Sequence, residues 1–104
     1  LKQKQLHYLQ IYEKNVADYP NQAKAYRDIA STYFSFTDQT EKALQYFQHS
    51  LTLKKHPKTY AGLVLCLLKL QRHTEAHIFL KEGLAAFPDD QTLQRLHSLL
   101  EHSS

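Results

Sequence analysis

Apolar side chains recur along this chain every three or four residues, the spacing that gives a helix one buried face. Leu6, Leu9, Tyr12 and Val16 predict a first helix over 5–19, ended by Pro20. Tyr26, Ile29, Ala30 and Tyr33 form the inner face of a second, which Asn21 can cap. A turn over 36–40 follows, where Asp38 and Glu41 have the spacing of a capping box and mark the start of a third helix. That helix carries Ala43, Leu44, Phe47, Leu51 and Leu53. The stretch 57–70 is apolar nearly all round. Tyr60, Leu63, Val64 and Leu67 face one way, Cys66 and Leu70 flank them, and Leu65 and Leu68 lie opposite, as in a central helix or one that meets a partner. A fifth helix over 74–87 holds Ala76, Leu80, Gly83, Leu84 and Phe87 and stops at Pro88. The sixth, after Asp90, has Leu93, Leu96, Leu99 and Leu100, and 102–104 are expected to fray.

These helices repeat. Tyr60, Leu63, Val64 and Leu67 moved back along the chain fall on Tyr26, Ile29, Ala30 and Tyr33, and Ala76 and Leu80 fall on Ala43 and Phe47. A two-helix unit of about 34 residues with large, large, small, large positions, then a small residue, an aromatic or leucine and a closing proline resembles the tetratricopeptide repeat. The resemblance implies an all-α fold, a right-handed stack of antiparallel helical hairpins. In that frame 1–19 is the second helix of a partial repeat, 22–55 and 57–88 are repeats, and 90–102 is a closing helix. Lys55 stands where the closing proline belongs, and Pro57 instead suits the first turn of the next helix, where a missing N–H costs nothing. Ala30 against Ala43 is the expected close contact of the first hairpin, and Gly83 implies close packing against the following helix. His97 stands where Ala30 and Val64 stand earlier, a bulk that suits a closing helix. The chain opens inside a periodic pattern and has no methionine, which reads as a fragment of a larger protein.

Composition narrows the function. With 42% hydrophobic and 22% charged residues, two glycines and three prolines, the chain is an ordinary globular helical domain. A net charge of +3, spread along its length, is too mild for a nucleic-acid footprint. The longest apolar run is too short to span a bilayer and holds Lys69, so no membrane insertion of this segment is expected. The single cysteine, Cys66, lies within that run and reads as a buried, inert thiol.

No spacing of residues suggests catalysis, and no cofactor is implied. His73 and His77 lie one helical turn apart and could both reach one metal ion, yet a third ligand from His49, His97 or Glu75 would be required, and solvated or packing histidines are the plainer reading. The resemblance implies a concave groove lined by the first helices of successive repeats, which takes an extended peptide or a partner helix. Helical rotation places Lys24, Arg27, Ser31 and Phe34, then Lys58, Ala61, Leu65 and Leu68, then Gln94 and Ser98 along it. The groove would be basic at one edge and apolar in its middle, although Lys24, Arg27 and Lys58 could equally be solvated. The family's carboxylate clamp is not matched. Arg27 could stand for its lysine, but Ser31 replaces its asparagine, and Ala61 and Gly62 carry no donor. The expectation is therefore a non-catalytic scaffold or adaptor that binds a protein or peptide, with a structural segment or homo-oligomer as the alternative.

Overall fold

The computed structural model describes residues 2–103, and among them every regular element is a helix: α1 (Lys2–Asp18), α2 (Ala23–Phe36), α3 (Thr40–Leu53), α4 (Pro57–Lys69), α5 (His73–Ala86) and α6 (Gln91–Ser103). Short turns force neighbours to double back. The closest pairings are α2 with α3 and α4 with α5, two hairpins; α3 lies on α4 and joins them. The first helices also touch across the stack, α2 on α4 and α4 on α6, while α1 packs on α2. This order is that of a helical repeat solenoid, the all-α class that the period predicts.

The core follows the repeated positions. Ile29, Ala30, Ala43 and Leu44 are buried in the first hairpin, and Tyr60, Leu63, Val64, Leu67, Ala76 and Leu80 in the second. Ala30, Ala43 and Ala76 have no exposed surface, as expected where helix backbones approach. At the position matching Gly83, Ser50 is wholly buried, and its hydroxyl donates to the Ala23 carbonyl at 2.7 Å, tying α3 to the start of α2. Gly83 itself fits the expectation. A Cβ there would sit 2.9 Å from Tyr60 Cβ and 3.3 Å from Leu93 Cδ1, so the missing side chain admits both the hairpin partner and the next helix.

Polar contacts fasten the helices at their surfaces. Tyr33 donates its hydroxyl to Glu13 of α1 at 2.8 Å, and burial, then that carboxylate, holds its phenol above the ordinary range. Arg72 forms a two-pronged bond to Glu75 (2.8 and 2.7 Å) and reaches Glu41 of α3 at 3.3 Å. Cys66 is fully buried and burial pushes its thiol up to about 12, so it carries almost no thiolate at neutral pH.

Several expectations need correction. Gln22, not Asn21, is the residue before α2, and Gln39, not Asp38, is the one before α3; neither makes a side-chain cap. Asn21 and Asp38 each lie one residue too early to reach the free N–H groups of the first turn. Thr37 organises the second turn instead, accepting from the Gln39 N–H at 3.0 Å and donating to the Tyr33 carbonyl at 2.6 Å. Leu6 and Leu99 are exposed, at 49% and 65%. α1 rests on α2 through Leu9 and Val16, and α6 rests on α4 and α5 through Leu93, Leu96 and Leu100, so Leu6 and Leu99 fall outside the covered stripes. Leu53 is exposed as well. His102 and Ser103 remain helical, with His97 and Glu101 3.4 Å apart on the last turns; Ser104 lies outside the described residues.

Candidate functional site

The surface built by α2, α4 and α6 begins with their first turns. In α4, Pro57 occupies the first helical position and has no N–H to satisfy. His56 caps the helix: its Nδ1 accepts the Lys58 N–H at 3.1 Å, while its carbonyl accepts from Thr59 and Tyr60 at 3.1 and 3.2 Å. Around this ring lie positive charges from separate elements. Burial lowers the pKa of His56, and Arg27 of α2, Lys58 of α4 and Lys54 at the end of α3 lower it further, opposed by Asp90 before α6. Arg27 and Lys58 thus lie within electrostatic reach of His56. Lys24 is otherwise engaged, in an ion pair with Asp28 at 2.8 Å.

Further along the helices the surface turns apolar. Leu65 is 39% exposed at the middle of α4, Leu68 is half-buried, and Ser31 is exposed on α2. Ala61 is buried, so it offers a ligand little more than the floor beside Leu65. Phe34, half-buried at the end of α2, carries the Lys69 ammonium 5.2 Å from its ring centre, a cation–π contact that joins α2 to α4. Phe34 and Lys69 border a cavity of about 520 Å³ with Phe36, Thr37 and Asp38. Gln94 and Ser98 are exposed on α6 and border a separate open cavity of about 630 Å³ with Gln91, Arg95 and Leu99; the Gln94 amide donates to the Pro88 carbonyl at 2.8 Å.

Sequence reasoning missed Lys54, His56 and Lys69. The signal was present in Lys54-Lys55-His56-Pro57-Lys58, where a histidine just before proline at a helix start is placed to cap, and three lysines sit within five residues. His73 has a polar side-chain neighbour on its own turn. Its Nε2 lies 3.2 Å from Gln71 Oε1, and among the described residues no three His, Cys, Asp or Glu side chains are gathered to hold a metal ion. Among the described residues no helix is long and apolar enough to cross a membrane.

The cap makes stability depend on pH, with a sign that can be worked out. The folded pKa of His56 is below its unfolded value, so folding favours the neutral ring. Its contribution is complete above the ordinary histidine value near 6.5 and is lost as pH falls through the lower folded value. Protonation also removes the Nδ1 acceptor, a loss of about 0.5–2 kcal/mol for a helix cap. Wild type should lose stability between pH 7 and 5, and His56→Asn, which keeps a capping oxygen without titrating there, should lose less; parallel denaturation midpoints for both would refute the assignment.

Residues 37–100, from the turn before α3 to the last buried leucine of α6, match the family model of the tetratricopeptide repeat. No curated protein matches the chain. With that match over more than half its length, and with hairpins stacked through repeated small and large positions, the chain belongs to the tetratricopeptide repeat family, whose repeats are in general protein–protein interaction modules.

Proposed function

We propose that this domain is a non-catalytic scaffold or adaptor that holds a partner peptide or helix along the surface of α2, α4 and α6. The observation that carries the reading is Leu65, a large apolar side chain 39% exposed in the middle of α4, between residues 59–64 and 66–67, which are buried. Exposed leucine on a central helix costs the free domain solvent contact and is recovered when a partner covers it. Arg27 and Lys58 stand at one edge, where the positive ends of the helices also favour an anion. A ligand with an acidic group near one end and two or more large apolar residues suits that distribution. Leu65, Leu68 and Phe34 supply most of the affinity, and the charges set direction and on-rate.

The test compares two variants in partner capture followed by binding titration. Leu65→Asp is expected to abolish binding while circular dichroism and the unfolding midpoint stay near wild type, because the side chain is outside the core. Arg27→Ala is expected to weaken binding and flatten its salt dependence. A folded Leu65→Asp protein that still captures its partner would move the binding site elsewhere, with the exposed apolar residues Leu6 and Ile11 of α1 the next candidates.

A further inference from the structure

We propose that α1 is the contact face of a symmetric dimer, in which α1 of a second copy lies antiparallel across it with Ile11 at the crossing. This face is separate from the surface of α2, α4 and α6, and the inference does not rest on the groove reading above.

Among the described residues, α1 rests on one neighbour, α2, whereas every other helix rests on two or more. Leu9 and Val16 are buried, and Glu13 accepts the Tyr33 hydroxyl at 2.8 Å, which fixes how the helix is turned. At about 100° per residue, Lys4, Tyr8, Ile11, Asn15 and Asp18 fall in one stripe about 180° round from Glu13. All five are exposed. Ile11 shows 50% of its surface and Tyr8 39%, and the Tyr8 ring stacks near-parallel to that of Tyr12 at 6.4 Å, so the middle of the stripe is a flat apolar surface. The other end of the stack is different. There α6 exposes Gln94, His97, Ser98 and Glu101, and among the described residues Leu99 is its one exposed large apolar side chain. A head-to-tail chain of copies would set Tyr8 and Ile11 on that polar surface, whereas two α1 helices set them on each other.

Charge selects a second copy and its direction. Lys4 lies in the first turn of α1 and Asp18 is its last residue, the reverse of what the helix's own dipole favours. Asp18 pairs at 3.1 Å with the well-exposed Lys14, and among the described residues Lys4 forms no ion pair. An antiparallel copy crossing at Ile11 brings Lys4 level with Asp18 of that copy, and Asp18 level with its Lys4, each about 10 Å along the axis from the crossing. Each misplaced charge then meets an opposite charge and the favourable end of the neighbouring helix. Tyr8 comes level with Asn15, whose amide can bond its hydroxyl. A parallel pair would instead set Lys4 against Lys4 and Asp18 against Asp18. One stripe about 20 Å long covers less than the roughly 1,200 Å² of a stable interface, so the dimer is weak and reversible.

Sedimentation equilibrium of the intact chain at low salt is the test, over concentrations of about 10–500 μM, where weak dimers dissociate. The average mass should rise from that of one chain toward that of two and go no further. Ile11→Lys should stay monomeric throughout with an unchanged circular dichroism spectrum, because the side chain lies outside the core. Lys4→Asp and Asp18→Lys, each made alone, oppose like charges at both ends of the pair and should weaken association by about ten-fold. Made together they restore opposite charges and should recover the wild-type constant to within about three-fold. Leu65→Asp should leave association unchanged, which separates this face from the groove. A wild type monomeric at every concentration, or one that grows beyond two chains, would overturn the proposal. So would a dimer that persists in a folded Ile11→Lys, or charge reversals that the double variant does not rescue.

Discussion

Tyr60→Ala is expected to destabilise the domain by about 3–5 kcal/mol, the range for emptying a large aromatic site in a packed core. Tyr60 has no exposed surface. Its Cβ and Cγ lie against the backbone of α5 at Gly83, Phe87 lies with its ring centre 6.3 Å away, and Leu93 of α6 closes on the same glycine. One side chain thus fills the space where three helices meet. Domains of this size have total stabilities of about 5–15 kcal/mol, so the variant should sit near the edge of folding. Because repeats are stabilised by their neighbours, the loss should fall first on α4, α5 and α6 and leave residual helix from the first hairpin in a denaturation curve. Tyr60→Phe separates the ring from the hydroxyl. It removes only the bond to Glu82 at 3.1 Å and should cost about 0.5–1.5 kcal/mol, since the exposed Glu82 regains water. Equal unfolding midpoints for the two variants would mean that the ring is not what holds the three helices.

The same tyrosine has an alkaline signature. Burial first, and then the Glu82 carboxylate, push its phenol up to about 12 from 10.0. The folded state favours the neutral form, so this contribution is present below the unfolded value and is lost as pH rises through the folded one. Tyr60→Phe should be less sensitive to that rise than wild type.

The hairpin architecture was legible because its cause is repeated. Ala30, Ala43 and Ala76 recur at fixed distances from large residues, and backbones can approach only where a side chain is small. Helix starts were less legible. Asn21 and Asp38 have the right chemistry but fall one residue early, and sequence spacing alone does not resolve a shift of one position when the true terminal residues, Gln22 and Gln39, make no cap. The positive charges around His56 were legible only in part. Arg27 and Lys58 could be placed by helical rotation, whereas Lys54 joins them because the α3–α4 turn brings the end of one helix to the start of another. Helical periodicity carries no information about a turn. His56 was hidden for the same reason: its role lies in a backbone N–H two residues on, not in a side-chain pattern.

Gly62 is where the repeat pattern says least and packing says most, and Gly62→Leu is expected to cost about 3 kcal/mol, at the upper end for overpacking. Gly62 faces α3 rather than α5. A Cβ there would run into the ring of Phe47, with Cε2 at 2.8 Å, and Phe47 is buried at 3% exposure. Ala43 and Ala76 set the approach of helices within hairpins; Gly62 sets the approach of the second repeat to the first. Gly62→Ala is the finer probe. Alanine gains about 1 kcal/mol of helix propensity over glycine, so a net loss of stability would report the clash directly. Shortening the opposing side chain should relieve it. In the double variant Gly62→Ala with Phe47→Leu, the added methyl enters space that the ring has left, and the two changes should cost less together than their sum by about 0.5–3 kcal/mol. Additive costs in a denaturant-unfolding cycle would show that Gly62 and Phe47 do not share that space, and the spacing of the two repeats would have to be set by other residues of α3 and α4.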